Sequence, residues 1–169
     1  MYFQIKRRNK GEKMEKCIKQ DRLHKVINGV IFYHHKNGGG LVAEPASVSE
    51  TAYVGPKAKI FDNAKIWDNA KIDGDAKIFD NVIVYAYAEV YGDAKVGGNV
   101  EIAGHAKVWG HAKIYDEAKI YDHAEIYGWA KVYDNAEVSD YAEIYGFAEI
   151  YGDAKICKEE KVGANAKMY

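Results

Sequence analysis

Three histidines, His105, His111 and His123, are the side chains here best suited to move a proton or to bind a metal ion, because imidazole titrates near neutrality. His105 and His123 stand eighteen residues apart, and His111 lies six after the first. Any of them could act as a general base in a pocket that excludes water and gathers polar groups. A metal site asks for more. Spacing assigns these histidines no carboxylate and no supporting partner, so no metal and no resident cofactor is expected.

A second set of residues has the chemistry to bind rather than to react. Trp109, Tyr127 and Tyr145 recur at intervals of eighteen, and His111, Trp129 and Phe147 follow each of them by two. Lys59, Lys77, Lys95, Lys113 and Lys131 keep the same interval, with Tyr115, Tyr133 and Tyr151 two residues after Lys113, Lys131 and Glu149. Large rings gathered on one surface suit a protein interface. A row of ammonium groups with interleaved aromatics suits a phosphate backbone or an anionic glycan.

The interval comes from a repeat of six. From Ala58 the chain reads AKIFDN, AKIWDN, AKIDGD, AKIFDN and onward to AKMY without a residue inserted or lost, and the frame extends back through AYVGPK and ASVSET to Ala46. Within each hexad a small residue and an aliphatic one stand two apart with Lys or Glu between them, which is strand alternation. The last two positions draw on Asp, Gly, Asn and His, types that tolerate tight corners. Three such strands around a triangle make an eighteen-residue coil, and the coils stack at roughly 4.8 Å. The expected fold is all-β: a left-handed parallel β-helix of about seven triangular coils over residues 41–169.

Stacking sorts the outward residues into columns. The first face carries Lys59, Lys77, Lys95, Lys113, Lys131 and Lys167, with Glu149 as its acidic member. The second face runs Lys65, Ile83, Glu101, Lys119, Glu137 and Lys155, a ladder of alternating charge from Glu101 onward. The third runs Lys71, Glu89, Lys107, Glu125, Glu143 and Lys161 beside the rings of Tyr91, Trp109, Tyr127 and Tyr145. Strand propensity explains outward rings on a face, but a corner gains nothing from it, so His111, Trp129 and Phe147 mark an exposed ridge. Glu160 falls on an inward small-residue position near the C-terminal end, where the last coil is expected to fray or open to water.

Ahead of the array, Leu23–Ile27 and Val30–His34 around Asn28-Gly29 predict a hairpin with a type I′ turn that caps the first coil, followed by a glycine-rich linker to Gly40. The capping hairpin and linker are placed at residues 23–40. Residues 1–22 are basic and polar and are expected to form an extension without fixed structure. No apolar run suits a signal peptide or a membrane span, and Cys17 and Cys157 have no redox or metal spacing. A formal net charge of -1 selects no partner by itself. The expectation is a cytoplasmic chain with free thiols and no membrane contact.

The pairs Ile60 with Ala64, Ile66 with Ala70 and so on to Val162 with Ala166 resemble the hexapeptide-repeat superfamily of left-handed β-helices. More narrowly, repeats such as AKVYDNAEV behind the leader NGGGLVAEPASVSETAYVGP are similar to bacterial and prophage proteins of the YdcK type, often labelled putative transferases. The resemblance implies a homotrimer. It also implies two enzymatic alternatives: an acyltransferase taking CoA as donor, with His105, His111 or His123 as base in a groove between subunits, or a metal site like that of γ-class carbonic anhydrases. Enzymes of the acyltransferase kind shape their sites with loops that leave the coils, and this array has none. The reading adopted is therefore a non-catalytic binding or scaffold protein, oligomeric or engaging a protein partner, that works through the aromatic ridge. Contact through the lysine face, by nucleic acid or an anionic glycan, is the lesser possibility, because acidic neighbours screen it.

Overall fold

The computed structural model describes residues 24–169. The basic segment 1–22, Leu23 and Cys17 lie outside the described residues. Three sheets of ten, seven and seven strands, parallel except for the two hairpin strands that begin the ten-stranded one, wrap a single axis as a left-handed β-helix of about seven coils. Each hexad contributes one two-residue strand, and strands eighteen residues apart pair in register, as Lys59 with Lys77 and Ile60 with Ile78. Outward residues also bond upward to the next coil: the amide of Lys59 donates to the carbonyl of Ala76 at 3.0 Å, and that of Phe61 to Ile78 at 2.9 Å.

Inside, the small and aliphatic positions are fully closed to solvent from Ala52 to Ile150. Burying each isoleucine contributes about 1.5–3 kcal/mol, and the narrow prism leaves no slack for larger inward residues elsewhere. Val82 and Val100 occupy inward small-residue positions in consecutive coils, so the two exceptions sit one above the other, both fully buried.

The corners are more selective than the sequence suggests. Only the fifth residue of each hexad adopts a left-handed backbone, at every repeat from Asp62 to Ala164. Aspartate suits this site because its carboxylate accepts a hydrogen bond from the amide eighteen residues on. Asp80 thus receives the Gly98 amide at 2.8 Å, and Asp134 receives that of Gly152 at 3.0 Å. Ala86, Lys158 and Ala164 hold the same conformation without that benefit, at a cost of about 1 kcal/mol each.

At the N-terminal end β1 (His24–Ile27) and β2 (Val30–His34) form an antiparallel hairpin, with positive φ at both Asn28 and Gly29. The hairpin continues into the helix, because β2 pairs antiparallel with β3 (Leu41–Ala43), and β3 is already the first parallel strand of the first face. Gly40 occupies an inward small position, where a Cβ would lie 2.3 Å from the Gly55 carbonyl. Phe32 is buried edge-on against Phe61 at 5.6 Å, and His35 is buried with Nδ1 3.0 Å from the Asn37 carbonyl. Asn37 and Gly40 bond Val54 and so cover the lower edge of the third face.

The C-terminal coil is open but not frayed. Glu160 is exposed over its end, yet its carbonyl still accepts from Glu143 at 2.8 Å, and Lys167–Met168 pairs with Glu149–Ile150. Water reaches the end of the core through Met168, which is 38% exposed.

Candidate functional site: a ring-framed face

Stacking in register turns the spaced rings into ladders. On the third face Tyr91, Trp109, Tyr127 and Tyr145 lie parallel, with centroids 5.6, 4.5 and 5.6 Å apart. At the corner leading on to the first face, His111, Trp129 and Phe147 stack at 4.8 and 5.5 Å. Between these two ladders run Gly110, Gly128 and Gly146, all left-handed and without side chains. All six ridge residues named from the sequence are therefore brought together, with a glycine floor between their two rows.

The opposite corner of the same face carries a ladder that sequence reading found only in part. His105 and His123 stack at 5.0 Å with planes 3° apart, and Tyr87 and Tyr141 close the column at 5.1 and 4.8 Å. The signal for the two tyrosines was present in the same eighteen-residue interval. His111 lies at the other corner, beside the Asp93 carboxylate at 3.5 Å, so the three histidines do not converge on one point. Among the described residues no group of three or more His, Cys, Asp or Glu side chains is arranged to hold a metal ion.

Charge on the third face is internally matched. Lys107 bonds Glu125 at 3.3 Å, Lys161 bonds Glu143 at 2.8 Å, and Lys71 lies 4.0 Å from Glu89. Burial raises the Tyr127 phenol above its usual range, and Glu143 beside it adds to the effect. An open groove of ≈ 410 Å³ lies between the histidine corner and this charged column, lined by His105, Lys107, His123, Glu125, Tyr141 and Glu143. Its mouth is wide, and the ring nitrogens stand along its edge rather than around a closed centre.

The other two faces differ. On the first, lysines stack directly on lysines from Lys59 to Lys131, an arrangement that like-charge repulsion disfavours. Glu149 ends the column: it takes hydrogen bonds from Lys131 at 2.7 Å and Lys167 at 2.9 Å, which hold its carboxyl at about 2. Among the described residues, Lys59, Lys77, Lys95 and Lys113 have no ion pair. The tyrosine column beside them is broken at Gly97, over which Phe79 leans toward Tyr115, and resumes as Tyr133 on Tyr151 at 5.4 Å. Rings stacked on each other show solvent their edges, so this column offers few open ring faces to a nucleobase. On the second face the Tyr85 hydroxyl donates to Glu101 at 2.7 Å, and burial with Glu101 and Glu137 nearby pushes Tyr121 up to about 12.

Exposure separates the faces further. Tyr87, Trp129, Tyr141 and Phe147 are each more than half exposed, and all four stand on the two corners that frame the third face. Trp67, on the second face, is 42% exposed beneath the Lys65 ammonium. No helix among the described residues is long and apolar enough to cross a membrane. Comparisons with protein families, characterised proteins and solved structures give no match to this chain.

Proposed function

We propose that this chain is a non-catalytic binding module whose third face, with its two ring-bearing corners, is the contact surface for a protein partner or for another copy of the chain. The observation that carries the reading is the placement of Tyr87, Tyr141, Trp129 and Phe147 on the corners of one face, where folding asks only for a turn residue. Interfaces enriched in Trp, Tyr and Phe around internally matched charge have this composition. The six-residue frame supports grouping the chain with the hexapeptide-repeat β-helices and, more narrowly, with YdcK-like bacterial or prophage proteins. The lysine column is read as a solvated face.

The test is a photo-crosslinkable residue placed at Phe147 or, as control, at Trp67, with the chain incubated in a native extract. Discrete crosslinked species from position 147 and background from position 67 are expected. Equal background from both positions removes the reading. An acyltransferase reading draws on the groove beside His105 and His123, and calorimetry with CoA decides it, because a donor site must bind the thiol carrier.

A further inference from the structure

When the order of the third face's outward residues is reversed about one coil, opposite charges fall against each other and rings fall against rings. That coil carries Glu125, Tyr127 and Trp129. We infer that two copies of the chain pair through their third faces, antiparallel, about a two-fold axis that crosses the stack at this coil; the inference rests on the third face being the contact surface.

A two-fold axis lying in the interface and perpendicular to the stack preserves left and right but reverses up and down. Each column therefore meets itself in reverse order. In the charged column Lys107 of one copy faces Glu143 of the other, and Glu89 faces Lys161, each twice by symmetry. The one like pair is Glu125 with Glu125, on the axis. In the ring columns the same axis sets Trp109 against Tyr145, His105 against Tyr141 and His111 against Phe147, while Trp129 meets its own copy. One centre thus satisfies the charges and all three ladders.

The alternatives fail on the same columns. On the first face any antiparallel overlay opposes lysine to lysine from Lys59 to Lys131. The second face matches charge only about a centre between Lys119 and Glu137, where its companion side chains are Ala103, Tyr121, Ser139 and Cys157 and offer little apolar area. A two-fold axis along the stack would set the charged column of the third face against a ring column. Five coils at ~4.8 Å, across a face of five or six residues at ~3.3 Å each, span roughly 24 by 18 Å. That area sits at the small end of specific interfaces, so association in the micromolar range is expected.

The experiment is sedimentation equilibrium of the full chain over three decades of concentration, with variants at exposed positions whose folding is checked by circular dichroism. The wild type should follow a monomer–dimer equilibrium. Trp129→Ser, on the axis, should raise the dissociation constant on the order of 30-fold. Glu125→Gln should tighten the dimer several-fold by removing the like pair, a gain that misfolding cannot imitate. Glu89→Lys and Lys161→Glu should each weaken it, and the double swap should restore it. A monomer throughout, a trimer, a dimer indifferent to Trp129→Ser, or a double swap no better than its parents overturns the inference. Should the chain stay monomeric while position 147 still crosslinks to a different protein, the third face remains the contact surface and only the self-pairing is lost.

Discussion

Asp134 puts the corner mechanism to a quantitative test. Its backbone sits at φ 56°, and its carboxylate accepts the Gly152 amide at 3.0 Å, one coil further along. Two separable contributions act here. The hydrogen bond to an amide at an exposed corner contributes about 1 kcal/mol, and a left-handed residue bearing a Cβ costs about 1 kcal/mol relative to glycine. Asp134→Gly loses the first and relieves most of the second, so its net effect should stay within about 0.5 kcal/mol. Asp134→Ala loses the hydrogen bond and keeps the strain without the local polar contacts that make aspartate tolerant of it, and should cost about 1.5 kcal/mol. Asp134→Asn, which keeps an acceptor and tolerates the conformation, should fall between wild type and alanine.

Urea unfolding followed by near-ultraviolet circular dichroism measures all three variants, and a thermal melt gives a second readout at about 2–4 °C per kcal/mol for a chain of this size. Because each coil touches only its neighbours, the effect should be independent of changes several coils away. Alanine and glycine variants of equal stability would refute the assignment of strain to the fifth position. An alanine variant as stable as the wild type would refute the corner carboxylate as a stabilising group altogether.

Three further outcomes follow from the same geometry. Ile126→Ala, at a fully buried position pinned in register between Val108 and Ile144, should cost about 3 kcal/mol or more in urea titration, since the prism cannot collapse around the cavity; a loss below about 1 kcal/mol would contradict a close-packed axis. Glu149 has a folded value depressed from 4.5 to about 2 by Lys131 and Lys167, so it stabilises above the unfolded value, and this contribution fades as pH falls between those limits. Glu149→Gln should therefore flatten the acid limb of a stability–pH profile in that window, and an unchanged limb would show the clamp to be inert. Gly128→Asp sets a Cβ 3.0 Å from the Gly146 nitrogen in a left-handed backbone, so it should fold at some cost in stability and weaken contacts of the third face; a variant that associates like the wild type would detach the glycine floor from the interface.

The repeat made the scaffold readable because each hexad states the same three demands, a small inward residue, an aliphatic inward residue and a turn, and the demands recur without a break. Register follows from the count alone, which places Trp109 on Tyr127 and His105 on His123. What the pattern could not supply was orientation within a column. That the rings turn parallel and bury their faces in one another, that Phe79 leans across Gly97, and that Asp134 spends its carboxylate on Gly152 all depend on rotamers, which a period does not encode. Tyr87 and Tyr141 are legible from the same interval, since they extend the column of His105 and His123 by one coil at each end. Glu160 opens the last coil to water, as a charge at an inward position implies, while backbone pairing to the preceding coil keeps that coil from fraying.

The three corners share one backbone conformation but not one choice of residue, and the difference bears on function. Where the first face turns into the second, Asp62, Asp80, Asp116 and Asp134 occupy the left-handed site, with Gly98 and Gly152 completing the column, and each carboxylate accepts the amide of the next coil. Where the third face turns into the first, the site is glycine from Gly74 to Gly146, and among the described residues no side chain takes the amides of Gly110, Gly128 and Gly146. The amides stand in the same places at both corners, and the bond an aspartate gains there is offset by the strain of its Cβ, so folding alone does not dictate an unbroken run of glycine. The corner that holds glycine in five consecutive coils is the one bordered by two ring ladders. A floor without side chains lets a partner approach the backbone between the ladders and offers it a row of unclaimed donors. If the corner served only to turn the chain, replacing its glycines by aspartate would shift stability only modestly and change nothing else.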